Sequence, residues 1–137
     1  MQMAGGNWLI TGTVTAPSTN SDMVIQFGKT LMHYMFWIEA EDESKEDIVD
    51  SSEAADKAYI WYGIYPVSGI NNVTPNNYAT CLRLNPSTNA ISASNTTALT
   101  KSATELRIPT RSITSASPNN AYYGLSYKYF IAPINNL

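Results

Sequence analysis

A chain of 137 residues, 44% of them hydrophobic, has room for one domain around one core, and its formal net charge of −3 excludes the electrostatic footprint of a basic nucleic-acid binder. Serine, threonine and asparagine supply 41 residues against 19 charged ones, an uncharged polar surface that suits β-structure better than Lys/Glu-rich helices. The single thiol, Cys81, excludes an intrachain disulfide and a cysteine-based metal centre, so packing must supply the stability.

At the start of the chain, Met1 to Gly6 carries no basic residue and opens no apolar run, so no signal peptide is expected. Trp8, Ile10, Val14 and Ala16 then share one face of an opening strand, with Thr11, Thr13 and Thr15 on the other. A turn from Pro17 to Asp22 leads to a second strand, Met23 to Phe27, which ends at Gly28. A third strand runs from Leu31 to about Ala40, and the three together read as an antiparallel meander. Its apolar run from Leu31 to Ile38, with His33 inside it, is far short of the ~18 residues of a membrane span, so a soluble chain without membrane insertion is expected. This third strand is apolar on both faces: Met32, Tyr34, Phe36 and Ile38 on one, Leu31, Met35 and Trp37 on the other. Such a strand belongs at the centre of a sheet or at a subunit contact, and its candidate interface residues are Leu31, His33, Tyr34, Met35 and Trp37.

Nine of the eleven acidic residues then fall between Glu39 and Asp56, while the rest of the chain carries a net charge of +5. The stretch from Ser44 to Lys57 has weak periodicity and predicts an acidic loop with at most one or two helical turns. A calcium site there is the lesser reading, because no twelve-residue loop with a central glycine and a terminal glutamate is present. Further strands are predicted at Tyr59–Tyr65, Tyr78–Leu84, Ala90–Ser92, Thr104–Ile108 and Tyr122–Ile131. In the last of these, Tyr123, Leu125, Tyr127, Tyr129 and Ile131 form the expected core face, opposite Tyr122, Gly124, Ser126, Lys128 and Phe130. About seven or eight short strands make an all-β fold, an antiparallel β-sandwich of jelly-roll-like or Ig-like type, with residues 1–137 as a single domain and an acidic excursion after the third strand.

Catalytic constellations are missing from the sequence. His33, the one histidine, sits inside an apolar strand and reads as a satisfied core or interface residue. Cys81 lies beside Leu82 with no cationic activator and reads as a small buried filler. Ser68 lacks the flanking glycines of a nucleophile elbow. Outside the acidic stretch only Asp22 and Glu105 are carboxylates, and Glu105 is expected to pair with a neighbouring arginine rather than to act in glycoside hydrolysis. The expectation is therefore a non-enzymatic protein without cofactor or metal.

Nine tyrosines and three tryptophans beside asparagine-rich turns supply the chemistry of carbohydrate recognition, in which ring faces stack on sugars and amides bind hydroxyls. One such neighbourhood is Tyr62, Tyr65, Asn71, Asn72, Asn76 and Asn77, and a second is Asn119, Asn120 and Tyr122. For any one of these tyrosines, core or subunit packing is the stronger reading.

The segment Leu9 to Pro17, followed by a polar turn, by Met23 to Lys29 and by an apolar strand, resembles small β-rich domains in virion proteins of tailed bacteriophages and prophages. The closing segment Gly124 to Ala132 is similar to the last strand of such domains, and together these segments cover about a third of the chain. The resemblance implies a tail, fibre or head-appendage component located in the virion and assembled in the host cytoplasm. It also implies other virion subunits as partners and a homo-oligomer, with a trimer ahead of other states. A host-surface glycan is then the candidate ligand. The alternative class is an exported bacterial carbohydrate-binding module, which the missing signal peptide disfavours.

Overall fold

The computed structural model describes residues 9–41, 58–65, 79–85, 90–96, 99–111 and 120–134. Within them lie β1 (Ile10–Thr15), β2 (Met23–Gln26), β3 (Tyr34–Ala40), β4 (Ala58–Tyr65), β5 (Ala79–Asn85) and β6 (Ala90–Thr96). The later strands are β7 (Thr100–Lys101), β8 (Glu105–Ile108), β9 (Thr110–Arg111), β10 (Ala121–Tyr122) and β11 (Ser126–Pro133). The described residues contain no helix. Six strands pair in the order β1–β11–β3–β4–β5–β6, every neighbour antiparallel, and β2–β8–β7 form a second antiparallel sheet. β9 and β10 make a short parallel pair. The all-β, sandwich-like class read from the alternation is the observed one.

One continuous core lies between the two sheets. The large sheet contributes Tyr34, Phe36, Ile38, Trp61, Tyr127 and Ile131, which meet Met23 and Ile25 of β2 and Leu106 and Ile108 of β8. Trp61 packs edge-on to Tyr127 at 5.4 Å, and Tyr34 sits between Phe27 at 4.9 Å and Tyr65 at 5.1 Å. The Tyr34 hydroxyl donates to the Ser102 carbonyl at 2.8 Å, tying β3 to the turn between β7 and β8. Gly12 of β1 faces Tyr129 of β11, and a Cβ at Gly12 would come within 2.7 Å of the ring's Cζ, so the tyrosine lies directly over the glycine.

Three expectations need correction. The first three strands are not a meander, because β11 inserts between β1 and β3 while β2 joins β8 in the other sheet. Alternation tells which face of a strand is buried and does not name its neighbour. Leu31 and Met32 exchange roles: Leu31 is buried and donates its N–H to the Ala103 carbonyl, whereas Met32 is 66% exposed. The cause is that the chain bends at Met32 and His33 and strand alternation begins only at Tyr34. Finally, the predicted last strand is broken at Tyr123 and Gly124, whose φ of +77° turns the chain between β10 and β11. Tyr122 therefore lies in the core, its N–H donating to the Tyr127 hydroxyl at 3.1 Å.

Candidate functional site

Along β3 the residues alternate strictly: Tyr34, Phe36, Ile38 and Ala40 are buried, while Met35 and Trp37 point to the opposite, outer face of the large sheet. Register then builds a surface from β3 and its two neighbours. Trp37 stands opposite Phe130 of β11 on one side and Tyr62 of β4 on the other. At a strand spacing of ~4.8 Å, the three rings form a row about 10 Å long across the middle of the sheet. Met35 faces Ile64 and Ala132 in the next row. The five large side chains keep 50% (Met35), 42% (Ile64), 38% (Trp37), 37% (Phe130) and 36% (Tyr62) of their surface exposed. These five exposed apolar groups lie in two adjacent rows on three neighbouring strands rather than scattered singly.

The polar border of this strip is also ordered by register. Glu39 is paired with Lys128 of β11, and Lys128 Nζ lies 3.5 Å from Glu39 Oε1. The other carboxylate oxygen, Oε2, accepts from Trp37 Nε1 at 3.2 Å, which holds the indole in place. Trp37 and Tyr62 stack on each other at 5.8 Å with planes 27° apart. Each ring has therefore already given one face to its neighbour.

Of the sequence-predicted interface residues, Met35 and Trp37 lie on this strip, whereas Leu31 and Tyr34 belong to the core. His33 is half-buried, and its Nδ1 is shut off from solvent with no hydrogen-bond partner among the described residues, so at that atom it is not the satisfied histidine expected. Of the predicted glycan-binding residues, Tyr62 is exposed on the strip and Tyr65 is half-buried against Tyr34 on the opposite face. Asn120 and Tyr122 are buried, so they do not form an open loop surface. Asn71, Asn72, Asn76, Asn77 and Asn119 lie outside the described residues, as do the acidic stretch from Asp42 to Asp56 and the side chain of Cys81. Ile64 and Phe130 were missed. Phe130 interrupts a polar series, Ser126 and Lys128, and that interruption was the available signal.

Asp22 and Glu105 share one cationic neighbour. Both reach Arg107, Asp22 at 3.7 Å from Nη1 and Glu105 in contact with Nε, so the expected arginine pairing is present. Lys101 is buried and its Nζ donates to the Ile64 carbonyl at 3.2 Å, and burial lowers its pKa to about 8. No family model, curated protein or solved structure matches the chain.

Proposed function

We propose that this chain is a non-enzymatic structural component that works by non-covalent assembly through the outer face of its six-stranded sheet. The observation that carries the reading is the row Phe130–Trp37–Tyr62 with Met35 and Ile64 beside it, all half-exposed on three adjacent strands. Trp, Tyr, Phe and Met are the residues enriched at protein–protein contacts, where Lys and Glu are depleted, and here one Lys and one Glu stand at the border, paired to each other. Stacking of Trp37 on Tyr62 takes one face of each ring away from a sugar and so favours a protein partner. The setting we propose is the virion of a tailed bacteriophage, with other virion subunits as partners, and its support is the sequence resemblance of the first, second and last strands.

Size-exclusion chromatography with light scattering, run on the chain purified under native conditions from the cell that makes it, tests the reading. The chain is expected in a complex well above its own 15.0 kDa. Trp37→Ser or Phe130→Ser should release it while leaving the far-ultraviolet circular dichroism unchanged. A complex that survives both substitutions sinks the proposal.

A further inference from the structure

The outer face carries one acid–base pair beside its aromatic row. The acid and base at the border of its aromatic strip sit on adjacent strands in the same cross-strand row, Glu39 on β3 and Lys128 on β11, beside a row in which Trp37 and Phe130 occupy the same two strands. We propose that the partner on this face is a second copy of the chain, packed sheet against sheet about a twofold axis that runs along the strands midway between β3 and β11.

That axis superposes each strand of the pair on the other strand of the copy. Trp37 then lies over Phe130 of the copy and Met35 over Ala132. Glu39 lies over Lys128 and Lys128 over Glu39, so both charge contacts are attractive. An axis along β3 itself would put Glu39 over Glu39, and like charges brought together in a drying interface are strongly unfavourable. An axis along the aromatic row would set the charged pair over Met35 and Ala132, leaving ions against apolar groups without a partner. Of these three arrangements, the first alone sets Glu39 against Lys128 and the Trp37–Phe130 pair against itself. Two sheets packing face to face stand about 10 Å apart, close enough for side chains from both to interdigitate.

This inference rests on the outer face being the assembly surface, and the following experiment separates its failure from the failure of that reading. Sedimentation equilibrium is measured on the purified chain at micromolar to several hundred micromolar concentration, with circular dichroism to confirm folding. The wild type is expected to dimerise. Glu39→Lys and Lys128→Glu should each weaken the dimer at least tenfold, since each then presents two like charges to its own copy. An equimolar mixture of the two variants should recover most of the wild-type affinity, because the lysine introduced on β3 of one chain meets the glutamate introduced on β11 of the other. That recovery depends on contacts between chains and cannot come from repairing either fold. A wild type that stays monomeric, a dimer indifferent to both substitutions, or a mixture no tighter than the separate variants would each overturn the inference. If the native complex still falls apart on Trp37→Ser in any of these cases, the face binds a different protein and the assembly reading stands.

Discussion

Replacing Tyr34 separates core from contact surface within one strand. The side chain is fully buried, contacts Phe27 and Tyr65, and donates to the Ser102 carbonyl at 2.8 Å. Removing a buried aromatic ring typically costs about 3–5 kcal/mol, while removing one hydrogen bond costs about 1 kcal/mol. Tyr34→Ala is therefore expected to cost about 4 kcal/mol and Tyr34→Phe about 1–2 kcal/mol, the extra over one bond coming from the partly buried carbonyl left behind. Trp37, three residues along and 38% exposed, should cost less than about 1 kcal/mol on truncation to Ala. Urea unfolding followed by far-ultraviolet circular dichroism, at a concentration low enough to keep the chain monomeric, reads these differences. With a slope of about 1.5 kcal/mol per molar urea, the midpoint should fall by about 1 M for Tyr34→Phe and by more than about 2 M for Tyr34→Ala. A Trp37→Ala midpoint that falls as far as that of Tyr34→Ala would refute the assignment of opposite roles to the two faces of β3.

The pH dependence has a determined sign. Lys101 falls from 10.5 to about 8 through burial, so between those values the unfolded chain holds a proton the folded chain lacks, and stability rises with pH. The Tyr34 phenol moves the other way, raised far above its usual 10.0 by burial and by nearby Tyr65. Above pH 10 the unfolded tyrosine ionises first and stability falls. Urea midpoints between about pH 8 and pH 10 should therefore rise more steeply for the wild type than for Lys101→Met, and equal slopes would contradict the burial of the ammonium. Gly124, at a φ of +77°, turns the chain between β10 and β11, and Gly124→Ala should cost about 1 kcal/mol in the same titration. No change there would mean that the turn relaxes without strain.

Period-two alternation made the all-β class legible because burial on one face requires it wherever a strand separates core from solvent. β1, with Thr11, Thr13 and Thr15 outward, and β3, with Tyr34, Phe36 and Ile38 on one face and Met35 and Trp37 on the other, were readable in this way. The pairing of Glu105 with Arg107 was equally local, two residues apart along one strand. Two of the five side chains of the exposed apolar strip, Met35 and Trp37, were therefore visible on the outer face of the third strand.

Everything that needed a partner strand was not. Phe130 and Tyr62 become neighbours of Trp37 only because β11, from the far end of the chain, inserts beside β3, and no local pattern encodes that choice. Leu31 and Tyr122 changed faces for a related reason. A bend or turn resets the phase of alternation, and the bend at residues 32–33 and the turn at 123–124 are placed by packing against Ala103 and Tyr127. Which segments are strands, and how polar their two faces are, can be read residue by residue, since each side chain's solvation is a local property. Which strands meet is settled only when the whole core closes and sets the register, and that closure is what gathers scattered aromatic residues into one surface.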